Sequence, residues 1–265
     1  MKNKILGRLC ICVLIAVVVF SLTACGDGEK RIKLESGHGY RIENNEDKVI
    51  ISGGSEDDML YNVCITIAER ENDLTIVLDN VNFRAKDNNV GILCLNKTYT
   101  LTVEFKGQCS IRGGYGSDGY SGASGILSSA LNWCGSDGKP GQPAVKCGQV
   151  VFKAANADSK LYLTGGSGGC GGDAGNSDLV SPLHLVTCKP NGGNGGDGAP
   201  ALMCSQKSLI ENDNLVLKGG FGGRGGQLGY CRVTVNIVNI FWNDYGKMYG
   251  ERGENGKSAA AIITE

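Results

Sequence analysis

The chain has 265 residues, with 42 glycines, 5 prolines and a formal net charge of −1 at pH 7. The near-neutral balance, with no run of Lys or Arg beyond the N-terminal segment, excludes a basic nucleic-acid-binding surface. The scarcity of proline excludes collagen, and the length suits one large domain better than two.

Residues 1–24 are typical of an export signal that is removed from the mature protein. Basic residues precede an apolar run at 9–20, and the residues LTAC at 22–25 resemble the lipobox of bacterial lipoproteins. We therefore expect cleavage before Cys25, acylation of its thiol and anchoring to the extracytoplasmic face of the cell membrane, because two or more acyl chains hold a protein stably. An uncleaved membrane span is the alternative, although the apolar run is short for one.

Residues 25–39 are polar and unpatterned, which predicts a tether before a folded domain at 40–265. From Tyr40 onward, short runs alternate in polarity and are rich in β-branched residues, which predicts strands. These runs read YRIE, KVIISG, VCITIA, LTIVLDNVNF and LTVEF. No apolar stripe of helical length occurs between residues 40 and 265, so the predicted fold class is all-β.

Two passages of the chain are copies of one another. Residues 143–172 run from PAVKC to LYLTGGSGGCGG, and residues 200–226 run from PALMC to LVLKGGFGGRGG. A fainter earlier copy reads VGILC and SIRGGYG, and a truncated last copy reads SAAAII at 258–263. Apolar boxes that recur with glycine corners predict a solenoid, in which each unit buries its apolar face against its neighbours.

The succession LTIVLDNVNF, VGILCL, TLTVEF and CSIRGG resembles a group of bacterial surface lipoproteins with carbohydrate-binding domains and glycine-rich β-helix repeats. The resemblance covers most of residues 40–230. It implies a right-handed parallel β-helix with glycine-triplet loops, and it implies a polysaccharide as the ligand.

Blocks of Gly-Gly-x triplets interrupt this pattern at 165–173, 192–198 and 219–226. Glycine at every third residue suits extended left-handed segments whose bare faces approach each other closely. We expect these blocks to leave the coil and pack side by side on one flank; disordered glycine loops are the alternative. The third residue changes between copies, so we expect this flank to be a scaffold and not a site.

The sequence Gly-Gly-x-Gly-x-Asp occurs three times and resembles the first part of a calcium-binding nonapeptide. The candidate calcium ligands are Asp118, Asp173 and Asp197. Calcium takes about six to eight oxygen ligands and these copies are not in tandem, so hydrogen bonding within turns is the favoured alternative. No other metal or cofactor is expected, since there is no Cys-x-x-Cys and only two histidines occur.

The cysteines after Cys25 are odd in number, so they cannot all pair within the chain. Three recur at matching repeat positions and predict a stacked core column: Cys94, Cys147 and Cys204. Four lie in or beside glycine-rich loops and are the better disulfide candidates: Cys134, Cys170, Cys188 and Cys231.

Aromatic residues offer the only candidates for sugar stacking. They are Trp242 and Tyr245, in the cluster FWNDYGKMY, together with Trp133. The favoured alternative is that the cluster covers the open end of the solenoid.

No pair of acidic residues falls at matching repeat positions, so no catalytic site is expected. The sequence therefore predicts a lipid-anchored cell-surface protein that binds polysaccharide without acting on it. A structural or adhesion protein whose glycine-rich flank binds another protein is the first alternative. A polysaccharide lyase is the less favoured second alternative.

Overall fold

Parallel strands form most of the regular structure. The computed structural model describes residues 29–96, 98–126, 133–181, 189–204, 214–237 and 241–264, and within them it contains strands and no helix. The strands are β1 (Lys30–Lys33), β2 (Gly39–Ile42), β3 (Lys48–Gly53), β4 (Leu60–Tyr61), β5 (Cys64–Ile67), β6 (Leu74–Arg84), β7 (Ile92–Cys94), β8 (Thr100–Lys106), β9 (Gln108–Arg112), β10 (Gly125–Ile126), β11 (Val145–Cys147), β12 (Gln149–Ala154), β13 (Lys160–Thr164), β14 (Ser177–Ser181), β15 (Leu202–Cys204), β16 (Leu215–Lys218), β17 (Tyr230–Ile237), β18 (Phe241–Tyr249) and β19 (Ile262–Thr264).

The strands are distributed over three sheets. A six-stranded sheet has the order β2-β5-β7-β11-β15-β19, and all its pairs are parallel. A nine-stranded sheet is bent at β6 into a first arm (β1, β3, β6, β8, β12) and a second arm (β4, β6, β9, β13, β16), again parallel throughout. A four-stranded sheet, β10-β14-β17-β18, has an antiparallel pair at its β18 edge. The predicted all-β class and the predicted strand runs are confirmed.

The apolar sides of the strands in the six-stranded and nine-stranded sheets face one core. The alternating burial of β8 places Leu101, Val103 and Phe105 inside, because successive side chains of a strand point to opposite faces. The predicted cysteine column is confirmed: Cys147 pairs with Cys204 in register, and both are buried and outside any disulfide, as is Cys94 in the preceding strand of the sheet.

The bend between the two arms has a backbone cause. Asn80, in the middle of β6, has a φ of 52°, and the pairing of β6 with β3 shifts register there. One strand later, Gly107 separates β8 from β9 with a φ of 71°, and a Cβ on it would lie 2.1 Å from Oδ1 of Asn80. Asparagine and glycine are the residues that tolerate this left-handed conformation.

Six extended segments lie outside this body. Three of them leave it after β9, β13 and β16, and the other three return to it before β11, β15 and β19. We number them in chain order: segment 1 (113–124), segment 2 (133–142), segment 3 (165–176), segment 4 (190–200), segment 5 (219–229) and segment 6 (250–260). The four-stranded sheet lies at their far ends, since β10, β14 and β17 follow segments 1, 3 and 5.

The segments bind one another through backbone hydrogen bonds at every third residue. Segments 1, 3 and 5 form one layer, in which Gly116 donates to the Ser167 carbonyl at 2.8 Å and Gly168 donates to the Phe221 carbonyl at 2.9 Å. Segments 2, 4 and 6 form a second layer that runs antiparallel to the first. Gly169, for example, donates across the layers to the Lys139 carbonyl at 2.9 Å. This period is that of the polyproline II helix, which has no internal hydrogen bonds.

The glycines mark the faces on which two segments touch. The Cα of the first glycine of a triplet packs against the following segment: a Cβ on Gly168 would lie 1.9 Å from the carbonyl oxygen of Gly196. The Cα of the second glycine packs against the segment that lies two places earlier in the numbering: a Cβ on Gly169 would lie 2.1 Å from the carbonyl oxygen of Ser117. Real Cβ atoms do not come this close to backbone, so no other residue fits. The side-by-side packing predicted for the glycine blocks is confirmed.

The third residue of each triplet points outward, and several of them also carry hydrogen bonds. Oδ1 of Asp118 accepts the Cys170 N–H at 2.7 Å, and Oδ1 of Asp137 accepts the Asn194 N–H at 2.6 Å. Asn194 repeats the arrangement with the Glu254 N–H at 2.9 Å. An Asp or Asn at the third position therefore satisfies an amide of the next segment in the same layer.

Folded structure begins earlier than the predicted boundary at residue 40. Strand β1 lies inside the segment predicted as a tether and pairs with β3 from Lys30 to Lys33. The aromatic segment Phe241–Tyr249 forms β18, which pairs with β17 at the edge of the four-stranded sheet. The side chains of residues 241–246 lie outside the described part of the chain, so the end cap stays a prediction.

The glycine faces predict an unequal pair of substitutions within one triplet. Gly169→Ala should destabilise the protein by about 1–3 kcal/mol or more, because the new methyl group overlaps the Ser117 carbonyl. Cys170→Ala, at the exposed neighbouring position, should change stability by less than about 0.5 kcal/mol. Urea unfolding of both variants measures the difference, and equal midpoints would contradict the packing.

Candidate functional site

The outward side of the second arm carries a row of polar and cationic residues. The strand register aligns Tyr61 with Arg84, Arg84 with Arg112, Arg112 with Thr164 and Thr164 with Lys218. These side chains stand above one another because residues in register on parallel strands share a face. Three of the five are cationic, so this face is positive along the stack.

A second outward row lies beside the first and lines a pocket. It consists of Asn82, Ser110 and Tyr162, which are successive partners in β6, β9 and β13. With Glu56, Gln108 and Arg112 they surround a volume of about 260 Å³, which we call the sheet pocket.

The wall of the sheet pocket contains a buried amide. Asn82 is 8% exposed, and its Nδ2 donates to the Ser55 carbonyl, which fixes the amide. Its Oδ1 is buried and has no hydrogen-bond partner among the described residues. A buried polar atom without a partner is costly to the fold. The ring of Tyr162, two strands away in the same row and 38% exposed, offers a stacking surface.

An aromatic slot continues from the sheet pocket onto the glycine segments. It has a volume of about 280 Å³ and shares Arg112 and Thr164 with the sheet pocket. Its walls are Tyr115 of segment 1 and Phe221 of segment 5, and its floor is Ser167 of segment 3. We call the sheet pocket and the aromatic slot together the groove.

Cations surround the aromatic slot. The Arg84 guanidinium lies 4.4 Å from the ring centroid of Tyr115 and 5.4 Å from that of Tyr61. The Lys218 ammonium lies 5.4 Å from the ring of Phe221. Asp87, at 3.6 Å from Arg84, offsets part of this charge, while no carboxylate lines the slot itself among the described residues. The arrangement can hold a ring that bears an anionic group.

The structure corrects one predicted sugar-stacking residue. Trp133 is 4% exposed at the start of segment 2, so its ring cannot be a platform. Its carbonyl accepts the Gly175 N–H at 2.8 Å, which holds it inside the glycine packing. Trp242 and Tyr245 lie in β18, and their side chains fall outside the described residues.

The three candidate calcium ligands are not all brought together, since only Asp118 and Asp173 line a common hollow. Each carboxylate accepts one backbone N–H at 2.7 Å: Asp118 from Cys170, Asp173 from Gln227 and Asp197 from Lys257. Asp118 and Asp173 lie in the layer of segments 1, 3 and 5, whereas Asp197 lies in the other layer. Within the described residues, no group of three or more His, Cys, Asp or Glu side chains could hold a metal ion. These three aspartates form hydrogen bonds to the backbone, as the favoured alternative to calcium binding predicted.

The cysteines divide differently from the prediction. Cys134 and Cys170 are free and exposed, so the expectation that they form disulfides is wrong. Cys231 is disulfide-bonded, as predicted for it, and every other cysteine in the described residues is outside any disulfide. Cys25 and Cys188 lie outside those residues.

The groove residues were not predicted from the sequence. The relevant signal is an aromatic or basic residue at the junction where an apolar box meets its glycine block, as in SIRGGY, LYLTGGS and LVLKGGF. The three junctions lie on adjacent strands, and together they supply Arg112, Tyr115, Tyr162, Lys218 and Phe221.

No protein-family model, curated protein or solved structure matches this chain. The part of the chain that the structure describes contains no helix long and apolar enough to cross a membrane.

Alkylation should distinguish the exposed cysteines from the buried ones. The hydrogen bond with the Cys94 thiol, together with burial, raises the pKa of Cys147, and burial raises the pKa of Cys109. A raised thiol pKa means less of the reactive thiolate. Iodoacetamide at mildly alkaline pH should therefore modify Cys134 and Cys170 in the folded protein and reach Cys147 and Cys109 only after unfolding. Mass spectrometry of the peptides measures this, and early labelling of Cys147 would contradict the buried column.

Proposed function

We propose that this chain is a lipid-anchored surface protein that binds an acidic polysaccharide in the groove without acting on it. The observation that carries the proposal is the aromatic slot, where two exposed rings flank a floor free of large side chains and cations stand at its entrance. Rings stack on the apolar faces of sugars, while Arg and Lys attract the acidic substituents of such polymers.

The scaffold for this function is proposed to be a right-handed parallel β-helix. Its support is the order in which the chain visits its sheets: β7, β8 and β9 are followed by β11, β12 and β13 in the same sheets. Connections between parallel strands of one sheet are right-handed in nearly all proteins. The resemblance of the repeats to β-helix surface lipoproteins points the same way.

Binding without turnover is favoured by the groups that line the groove. Glycosidases use a pair of carboxylates on either side of the scissile bond. Glu56 is the single carboxylate lining the groove among the described residues. A polysaccharide lyase remains the less favoured alternative, and release of unsaturated sugar would reveal it.

Groove substitutions test the binding site. Tyr162→Ala should weaken the binding of uronic-acid oligomers about tenfold, because stacking contributes about 0.5–1.5 kcal/mol beyond the buried area. Arg112→Ala should have a larger effect that diminishes in high salt, since it removes a cation shared by the sheet pocket and the aromatic slot. Isothermal titration calorimetry measures both.

Matched controls lie outside the groove. Tyr120→Ala removes a tyrosine that is 85% exposed, and Arg31→Ala removes an exposed arginine of β1. Neither should change the affinity. Loss of binding on Trp242→Ala with no effect of Tyr162→Ala would move the site to β18. Absence of glycan binding together with association with a surface protein would favour the adhesion alternative.

The anchor is tested separately at the lipobox. Cys25→Ser removes the thiol that receives the lipid, so the protein should move from the membrane fraction to the soluble extracytoplasmic fraction. Cys134→Ser is the matched control and should leave the protein in the membrane fraction. Membrane retention of the Cys25→Ser protein would indicate an uncleaved apolar anchor.

A further inference from the structure

We infer that the groove continues over the glycine layer, and that its occupant is a linear acidic polysaccharide lying along the direction of the strands and segments. The inference rests on the proposed polysaccharide-binding function and extends it from a local site to a long one. It reassigns the outer face of segments 1, 3 and 5 from scaffold to binding surface.

The outward residues of this layer form transverse rows. Hydrogen bonds place Ser167 between Tyr115 and Phe221, and they place Cys170 next to Arg224 in the following triplet. The central residues of segment 3 are smaller than most of those flanking them in segments 1 and 5. The middle of the layer is therefore a shallow channel with higher sides.

A second hollow lies in this channel, one triplet beyond the aromatic slot. It has a volume of about 310 Å³ and is lined by Asp118, Cys170, Asp173, Arg224 and Gln227, among others. The sheet pocket, the aromatic slot and this distal hollow follow one another along the same chain direction, from β9 and β13 into segments 1 and 3. A chain molecule lying in this direction meets all three.

The distal hollow holds one cation, Arg224, beside two carboxylates, Asp118 and Asp173, so Arg224 is the group that would pair with an acidic unit of the ligand. Arg224 makes no ion pair within the described part of the chain, so its guanidinium is available. Asp118 and Asp173 each already accept a backbone N–H, which disperses part of their charge. At about 3.1 Å per residue, Arg224 lies about 19 Å beyond Lys218, so a short oligomer cannot reach both cations.

The separation of Lys218 and Arg224 is the reason why the occupant is a polymer and not a compact ligand. Arg112 and Lys218 stand with the exposed rings at the end of the channel nearest the sheet, and Arg224 stands in the distal hollow. A single sugar would fill the aromatic slot and leave the distal hollow empty. A linear chain with acidic units along it gains from every cation that it passes.

Two exposed thiols allow a direct test. Cys170 lies in the distal hollow, and Cys134 is an equally free, exposed thiol in the other layer. Saturating polygalacturonate should slow iodoacetamide labelling of Cys170 at least about tenfold and leave labelling of Cys134 unchanged. A short galacturonate oligomer, bound with the sensitivity to Tyr162→Ala expected for the groove, should leave both rates unchanged.

A variant gives the complementary measurement. Arg224→Ala should lower the affinity for the polymer several-fold and leave the affinity for the short oligomer unchanged. Arg252→Ala, an exposed arginine of segment 6, is the matched control and should affect neither.

The outcomes separate the two claims. If the polymer binds in a Tyr162-dependent way but Cys170 is labelled at its free rate, the inference is overturned and the proposed function stands. Protection of both thiols would also overturn it, because it would mean coating without a preferred face. If neither oligomer nor polymer binds, the proposed function fails, and the inference fails with it.

Discussion

The structure depends on the close approach of bare glycine Cα atoms to the carbonyl groups of neighbouring segments. A polyproline II segment makes no hydrogen bonds within itself, so all its backbone groups need partners elsewhere. Because Gly168 and Gly169 have no side chains, two neighbouring segments come close enough to supply these hydrogen-bond partners. The ordering of glycine is costly in entropy, and the recurring hydrogen bonds across several segments offset it together. No segment could be stable alone.

The same constraint sets where the packing ends. Segments 1 and 2 have no segment two places before them, and they carry Ser117, Tyr120 and Lys139 where segments 3 to 5 have their second glycine. Segment 6 has no successor, and Arg252 stands where the first glycine would be. The Asn255 side chain also accepts the Gly225 N–H at 2.8 Å, an amide that faces the open edge. Side chains thus close both edges of the glycine layers, as charges and bulges close the edges of β-sheets.

Local pattern was enough to predict the strands and the cysteine column, because polarity alternates within each run and Cys147 and Cys204 occupy equivalent places in a repeat. It was enough for the packing of the glycine blocks, since the period of three appears in the sequence itself. It could not predict the burial of Trp133, which depends on contacts with segment 3. Nor could it predict the groove, because Arg112 and Phe221 become neighbours only when strands and segments distant in the chain pair in register.

Hydrogen exchange at the amides of segment 3 tests the account most directly. The amides of Gly168, Gly169, Gly171 and Gly172 each donate to a neighbouring segment and should be strongly protected, whereas that of Ser167 has no acceptor within the described residues and should exchange fast. Protection of these glycine amides and of the Cys170 amide, which donates to Oδ1 of Asp118, with fast exchange at Ser167, is the result expected of packed segments when resolved residue by residue by NMR. Uniformly fast exchange through 165–173 would show that the glycine blocks are loose loops, and both the packing and the channel above it would be contradicted.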